Sequence, residues 1–112
     1  MKNKQHLLFV CTSNIDRSPA AESLFENSEK YEAKSCGFWV DRDRIGITKE
    51  LVSWADVFFV MDERNEEHKT YLLKKFPDLE KEIIILDVQN DYCRNDPELE
   101  RLLKIKLEDW LE

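Results

Sequence analysis

The feature that most constrains the fold of this chain is an apolar run that leads into a short polar segment and then into a helix start. Residues 7–10 are continuously apolar, as in a parallel strand that is buried on both faces. Ser18 and Pro19 are typical of a helix N-terminus, where a capping hydroxyl precedes a proline at the first helical position. The segment between them must therefore turn tightly, with Cys11 at the floor of the turn.

A loop of this kind suits a bound phosphate group. Its backbone N–H groups converge on one point, and the dipole of the following helix adds positive potential there. Arg17 would grip two phosphoryl oxygens with its planar guanidinium group. The same potential stabilises a thiolate, so Cys11 is the predicted nucleophile, and the Ser18 hydroxyl is placed to hydrogen-bond its sulfur. The predicted phosphate-binding residues are Thr12, Ser13, Asn14, Ile15, Asp16, Arg17 and Ser18.

The spacing of cysteine and arginine is a weak indication by itself, because Cys36 and Arg42 repeat it. The residues between that second pair include Phe38 and Trp39, whose bulk cannot wrap an anion closely. Asp43 then stands where a serine and a helix-opening proline would be needed. The flanking strand and helix start therefore make the first match specific and exclude the second.

The segment resembles the signature of the low-molecular-weight protein tyrosine phosphatase family, which follows a strand and usually reads Cys-X-Gly-Asn-X-Cys-Arg-Ser-Pro. The matching positions are Cys11, Asn14, Arg17, Ser18 and Pro19. Ser13 stands where the family usually has glycine, and Asp16 stands where a second cysteine is common. The resemblance covers nearly the whole of this chain, which is shorter than the usual family member. The further matching segments are Ala21-Glu22, Trp54-Ala55-Asp56-Val57, Val60-Met61 and Asp91-Tyr92.

Apolar segments that alternate with amphipathic ones predict the rest of the fold. The predicted strands are residues 7–10, 31–37, 57–61 and 83–86; the predicted helices are residues 19–29, a short helix from the Thr48 cap through Trp54, residues 63–76, and a closing helix that Asp96-Pro97 opens. This order predicts one α/β domain over residues 1–112, with an open parallel four-stranded sheet and helices on both faces. The resemblance implies a flavodoxin-like sheet with the first strand beside the second and third. The predicted core aromatic residues are Trp54, Phe58, Phe59 and Trp110.

Hydrolysis of a phosphate ester through Cys11 needs a proton donor from another loop at the carboxyl edge of the sheet. The loop after residue 86 offers Asp87, Asp91 and Asp96. Asp96 precedes proline at a helix start, as a cap would, and Asp87 directly ends a strand, so Asp91 is favoured. The resemblance agrees, because the family's general acid is an aspartate in this loop just before a tyrosine, usually in Asp-Pro-Tyr; the proline is missing here.

Two aromatic residues and one carboxylate complete the predicted site. Trp39 and Tyr92 lie in edge loops and are candidates for the walls of a pocket that receives an aryl ring, although Trp39 is equally well explained as a hydrophobic cap. Asp16 brings a carboxylate next to the predicted anion site. Because side chains of such a loop mostly point outward, we expect Asp16 to face solvent or to pair with a basic side chain.

Other reactive residues are predicted to be inert or exposed. Cys36 and Cys93 are interpreted as inert thiols. His6 and His68 lack partners at metal-ligand spacing and are predicted to lie on the surface. We therefore expect neither a metal nor another cofactor.

The composition restricts the partners and the compartment. The net charge of -7 argues against nucleic acid or an anionic membrane as the main partner, because both need a basic surface. Three cysteines, one of them a thiolate, suit a reducing compartment. Residues 1–6 are polar, and the apolar run after them is too short for a signal peptide, so we expect a soluble, cytoplasmic protein.

These residues together predict a phosphomonoester hydrolase of the protein tyrosine phosphatase type that forms a phosphocysteine on Cys11. Its substrate would be a phosphorylated protein or a small aryl phosphate, with inorganic phosphate or other oxyanions as inhibitors. Phosphotyrosine, another aryl phosphate and phosphoarginine all remain open as substrates. The alternatives are an arsenate reductase, which needs two further cysteines a few residues apart, a cysteine phosphoryl carrier, which does not need Asp91, and a weakened phosphate-binding module, at which Ser13 and Asp16 hint.

Overall fold

A computed structural model describes residues 4–111, so the predicted domain extends beyond the described residues at positions 1–3 and 112. Strands and helices alternate along the chain as predicted: β1 (Gln5–Cys11), α1 (Arg17–Ser23), β2 (Tyr31–Gly37), α2 (Lys49–Trp54), β3 (Val57–Val60), α3 (His68–Lys75), β4 (Glu82–Ile85) and α4 (Pro97–Glu108). The strands pair in parallel in the order β2-β1-β3-β4. The predicted open α/β fold and the central position of the first strand are thereby confirmed.

Residues 7–11 of β1 and all of β3 are apolar and buried because both faces of the sheet are covered. In β1, Leu7 and Phe9 belong to a core that α1 and α4 cover, whereas Leu8 and Val10 belong to a second core under α2 and α3. Strand β3 divides its side chains in the same way. Period-two alternation thus supplies one apolar layer to each face, as in other parallel sheets.

Helix α1 starts earlier and ends earlier than the predicted helix of residues 19–29. Its N-cap residue is Asp16, so the prediction that Ser18 caps the helix is wrong. Ser18 is instead buried in the first turn. After Ser23 the chain continues in tighter turns, in which the Leu24 N–H donates to the Ala21 carbonyl. The apolar residues after Ser23 therefore keep a spacing that resembles a helix, although the helix has ended.

Helix α3 starts later than the predicted start at residue 63. The Asp62 carboxylate accepts hydrogen bonds from the backbone N–H groups of Asn65 and Glu66 and holds a turn there. Glu67 then adopts a left-handed conformation, with φ of 53°, just before the helix. A side chain that satisfies local N–H groups thus replaces the expected first turn of helix.

Of the predicted core aromatic residues, one lies outside the core and one only borders it, since Trp54 packs partly buried against the second core. Trp110 is 53% exposed, so its assignment to the core is wrong. Trp54 is partly buried at the surface, where its ring stacks on His6 with centroids 4.3 Å apart. Phe58 and Phe59 are fully buried, as predicted. Among the described residues, no helix combines the length and apolar character that a membrane span requires.

Gly37, at the end of β2, lets the loop after β1 approach closely. A β carbon at this position would lie 2.7 Å from the backbone nitrogen of Asn14 and 2.8 Å from the carbonyl oxygen of Thr12. Both atoms belong to the main chain and cannot turn aside. The loop after β1 therefore depends on a residue without a side chain at position 37.

We expect Gly37→Ala to lower the free energy of unfolding by about 1–3 kcal/mol, because the added methyl group forces the backbone apart. Gly46→Ala is the matched control, since its β carbon would meet the side-chain Cγ2 of Val40 at 3.1 Å, and a side chain can move. Urea unfolding of both variants measures the difference. Equal losses in the two variants would show that the close backbone approach is unimportant.

Candidate active site

The loop of residues 12–16 joins β1 to α1 at the carboxyl edge of the sheet and is supported from behind by the chain after β2. Phe38 N–H donates to the Cys11 carbonyl at 3.2 Å, and Trp39 N–H donates to the Thr12 carbonyl at 2.8 Å. Asn14 adopts the left-handed region with φ of 55°, which asparagine tolerates better than most residues. The loop is thus fixed by main-chain contacts on its outer side.

The Cys11 sulfur is buried and has two hydrogen-bond partners inside this loop, and the nearby Ser18 hydroxyl also donates to the Cys36 carbonyl at 3.2 Å. The backbone N–H of Asn14 donates to Sγ at 3.2 Å, and the Ser18 hydroxyl lies 2.9 Å from the same atom. Donors of this kind stabilise an anionic acceptor more than a neutral one. The predicted contact between Ser18 and the Cys11 sulfur is present.

The Asn14 side chain connects the loop to the strand and helix behind it. Its amide nitrogen donates to the hydroxyls of Ser18 at 3.1 Å and Ser35 at 3.0 Å, and its oxygen accepts a hydrogen bond from Ile45 N–H at 3.0 Å. Ser35 in turn donates to Glu22 at 2.5 Å. The left-handed residue of the loop is therefore held by three partners.

Arg17 is 2% exposed, and the protein already engages most of its donors. Nη1 donates to Glu66 Oε2 at 2.6 Å and to the Val88 carbonyl at 3.0 Å, and Nη2 donates to Glu66 Oε1 at 2.6 Å. A guanidinium group has five N–H donors. Within residues 4–111 the Nε–H and one Nη2–H have no hydrogen-bond partner. These two N–H groups are parallel on one edge of the guanidinium, and such an edge can bind two oxygens of a phosphoryl group.

A cavity of about 160 Å³ opens over the loop; it is lined by Cys11, Thr12, Ser13, Ile15, Asp16, Arg17 and Asn90. Asn90 comes from the segment between β4 and α4 and was not predicted. Cys11 and Arg17 both line the cavity, and so does Ile15, an exposed apolar residue. Its size and donors suit a single tetrahedral oxyanion.

Glu66 was missed in the sequence, because only the folded chain brings it to Arg17. It accepts a hydrogen bond from the Thr12 hydroxyl at 2.6 Å in addition to those from Arg17. Burial raises the pKa of the Glu66 carboxyl, but the hydrogen bonds from Arg17 and Thr12 outweigh burial and hold that pKa below its usual value. Glu66 is therefore ionised when it orients Arg17.

His68 was predicted to lie on the surface, and this prediction is wrong: the residue is 1% exposed. Its Nδ1 accepts a hydrogen bond from Asp62 N–H at 3.0 Å, so the ring proton is on Nε2, which lies 2.9 Å from the Thr12 hydroxyl. Burial lowers the pKa of His68, although neighbouring Glu66 opposes the shift. A neutral imidazole thus donates to Thr12, and Thr12 donates to Glu66.

The segment between β4 and α4, which contains the predicted proton donor, is hydrogen-bonded to the loop after β1 through Asp16. The Asp16 carboxylate accepts a hydrogen bond from the backbone N–H of Arg94 at 2.8 Å, whereas we expected solvent or a basic side chain. Asp91 is exposed next to the cavity residue Asn90 and has no side-chain hydrogen bond within the described residues. Asp96 caps α4 by accepting a hydrogen bond from Glu98 N–H at 2.9 Å, as predicted.

The remaining predicted residues lie around this site. Trp39 stands beside the loop in edge-to-face contact with Tyr71, and Tyr92 packs partly buried against the core under α1 and α4.

Cys36 is buried in the second core, on the opposite face of the sheet from the Cys11 side chain. Burial, with the nearby Cys11 charge, raises the pKa of the Cys36 thiol. No group of three potential metal ligands occurs in the described part of the chain.

Solved structures match this chain over almost its whole length. The low-molecular-weight protein tyrosine phosphatase from T. tengcongensis is 24% identical, with a TM-score of 0.74 over 96% of this chain and 100% of that chain. Wzb from Vibrio vulnificus, in complex with benzylphosphonate, is 19% identical, with a TM-score of 0.74 and coverage of 96% and 97%. The YwlE arginine phosphatase from Geobacillus stearothermophilus is 23% identical, with a TM-score of 0.66 and coverage of 96% and 98%.

No protein-family model and no curated protein matches the sequence. The structural likeness agrees with the signature around Cys11 and with the strand order that the resemblance implied. The chain therefore has the fold of the low-molecular-weight protein tyrosine phosphatases.

Proposed function

We propose that this protein is a cysteine-dependent phosphomonoester hydrolase of the protein tyrosine phosphatase type. The observation that carries the proposal is a cavity lined by both Cys11 and Arg17, whose guanidinium group keeps two N–H donors without a partner among the described residues. A phosphoryl group held by those donors and by loop N–H groups has its phosphorus next to the nucleophile. Inorganic phosphate and other oxyanions would occupy the same position and act as inhibitors.

In the first step the Cys11 thiolate attacks the phosphorus in line with the leaving oxygen. The S–P bond forms as the P–O bond of the ester breaks, and Asp91 donates a proton to the departing oxygen. Arg17 and the loop N–H groups stabilise the charge on the equatorial oxygens. In the second step Asp91 removes a proton from water, which attacks the phosphocysteine and releases phosphate and the thiolate, and the Ser18 hydroxyl hydrogen-bonds the departing sulfur.

An aryl phosphate, as in phosphotyrosine, is the substrate class that the cavity favours. Ile15 offers an exposed apolar surface at the cavity wall, which suits an aromatic ring better than a polar guanidino group. The complex of Wzb with benzylphosphonate is in keeping with an aryl group at this position. Faster release of phosphate from a phosphoarginine peptide than from the matched phosphotyrosine peptide would assign the other substrate.

Arsenate reduction of the kind considered above needs a relay of cysteines close to the nucleophile. Cys36 lies on the other face of the sheet, and Cys93 is exposed in the segment before α4. The hydrolase proposal needs Cys11 alone, in its reduced form. We therefore also propose that the chain works as a single domain in a reducing compartment such as the cytoplasm.

The first prediction concerns the nucleophile. We expect Cys11→Ser to lose multiple turnover on 4-nitrophenyl phosphate but to keep phosphate or vanadate binding, because the binding groups are main-chain N–H and Arg17. Cys93→Ser is the matched control, since Cys93 is an exposed free thiol. Steady-state kinetics and calorimetric titration measure the two properties. Undiminished turnover by Cys11→Ser would refute the mechanism.

The second prediction concerns Glu66 as a positioning residue for Arg17. Glu66→Gln removes the charge and one acceptor from a pair of charge-assisted hydrogen bonds, each of which contributes roughly 1.5–3 kcal/mol. We therefore expect kcat/KM to fall roughly 10- to 100-fold. Inhibition by phosphate should weaken in parallel. Glu67→Gln is the control, because Glu67 is exposed and its side chain makes no capping hydrogen bond; equal effects of the two substitutions would contradict the role of Glu66.

The third prediction concerns the proton donor. Asp91→Asn should lose roughly two to four orders of magnitude in kcat on a phosphate ester with a poor leaving group. The loss should shrink as the leaving group becomes more acidic, because a stable phenolate needs no proton. Asp87→Asn is the control from the same segment. A loss for Asp91→Asn that is uniform across a series of aryl phosphates would show that another group supplies the proton.

A further inference from the structure

A second, shallower cavity of about 260 Å³ lies beside the candidate active site. Its lining residues, which we call the platform, are Phe38, Trp39, Tyr71, Lys74 and Lys75. We propose that the platform docks an acidic stretch of a phosphorylated polypeptide whose phosphorylated side chain enters the cavity over Cys11. The proposal rests on the proposed phosphatase function, and it names the class of substrate that the site selects.

The platform is joined directly to the loop that holds the nucleophile. The backbone N–H groups of Phe38 and Trp39 donate to the carbonyls of Cys11 and Thr12. On the other side, His68 in the first turn of α3 contacts the Thr12 hydroxyl, and its ring lies 5.8 Å from that of Phe38. A polypeptide that leaves the active-site cavity on this side therefore passes over the platform.

Two of the three aromatic residues of the platform are exposed, Phe38 is partly buried, and the rings contact one another. Trp39 is 62% exposed and Tyr71 is 41% exposed. Their rings are perpendicular with centroids 5.6 Å apart, and Phe38 packs against Tyr71 at 5.8 Å. Single exposed apolar residues are common, but a cluster of exposed aromatic side chains beside a cavity is typical of a binding surface.

The charge of the platform differs from that of the whole chain. Lys74 and Lys75 are exposed in the last turn of α3, and within residues 4–111 neither forms an ion pair with a carboxylate. The chain as a whole carries a net charge of -7. Lysines in a last turn also complement the helix dipole, but the dipole does not account for the aromatic cavity next to them. A positive surface on an acidic protein selects a negatively charged partner segment.

The length of α3 indicates how far the acidic residues lie from the phosphorylated one, because His68 at its start contacts Thr12 of the loop after β1. Lys74 and Lys75 follow His68 by six and seven residues, which is roughly 9–10.5 Å along a helix axis. An extended polypeptide covers this distance in about three residues. We therefore place the acidic side chains roughly two to four positions from the phosphorylated residue.

An anionic membrane is the competing partner for a surface of aromatic and basic residues. Stable membrane binding needs a larger basic cluster or a lipid anchor, whereas the platform holds two lysines on an acidic protein. Its continuity with the active-site loop also suits a substrate better than a lipid surface. The polypeptide is therefore the occupant we propose.

Binding to two labelled phosphotyrosine peptides tests the proposal in the full chain. One peptide carries aspartates two to four positions from the phosphotyrosine on both sides, and the other carries serines there. The Cys11→Ser variant is used for fluorescence anisotropy, so that docking is measured without turnover. We expect the acidic peptide to bind roughly three- to tenfold more tightly in low salt, with a preference that declines as salt increases.

Charge reversal on the platform should remove this preference. In the Cys11→Ser background, Lys74→Glu with Lys75→Glu should bring the ratio of the two dissociation constants to one or invert it. Lys4→Glu with Lys49→Glu makes the same change in net charge at two other exposed lysines and should keep the preference. Trp39→Ala should weaken both peptides by a similar factor.

Three results would overturn the docking proposal: equal affinity for both peptides, the same loss of preference in the two double variants, or platform-dependent binding to vesicles that contain anionic lipid but not to the peptides. Hydrolysis of 4-nitrophenyl phosphate by the wild-type protein is a separate measurement. That substrate carries no acidic residues, so a failure to hydrolyse it counts against the proposed function, whereas normal hydrolysis without peptide preference counts against docking alone.

Discussion

The buried guanidinium group of Arg17 is the constraint on which the carboxyl edge of the sheet depends. A buried charge without partners costs several kcal/mol, so the fold must surround this group with acceptors. Glu66 supplies two from the segment after β3, and the Val88 carbonyl supplies a third from the segment after β4. These partners leave one edge of the guanidinium unused, and the same contacts that make its burial tolerable hold Arg17 at the cavity that Cys11 also lines.

The polar groups behind the loop form a closed network. Among the described residues, no buried side-chain nitrogen or oxygen lacks a hydrogen-bond partner. Asn14 reaches Ser18, Ser35 and the main chain of Ile45, while Gly37 admits the loop backbone against the sheet. Donors that are held in place in this way do not have to reorganise when charge develops on a bound phosphoryl group, which is how a preorganised site lowers a reaction barrier.

Local sequence patterns predicted the fold well, but they did not predict contacts between residues that are far apart in the sequence. The apolar runs locate all four strands, and the bounds of β2 agree with the prediction. Asp96 and Thr48 were recognisable as caps from their neighbours alone. By contrast, Glu66 and His68 contact Arg17 and Thr12, which precede them by 49 and 56 positions. Contacts between residues so far apart produce no local sequence pattern. The partner of Asp16 could not be predicted either, because it is a main-chain N–H, which almost any residue can supply.

The hydrogen bond from Arg94 to Asp16 joins positions 78 residues apart and spans most of the chain. Contacts of such long sequence separation form late, because a large loop must close before they stabilise anything. Cys11 and Arg17 leave the ribosome long before Glu66, Val88 and Arg94, so a nascent chain carries the signature residues without their supporting partners. Assembly of the cavity is thereby coupled to synthesis of the last quarter of the protein, and the thiol that we propose as the nucleophile emerges early but acquires its full surroundings only at the end.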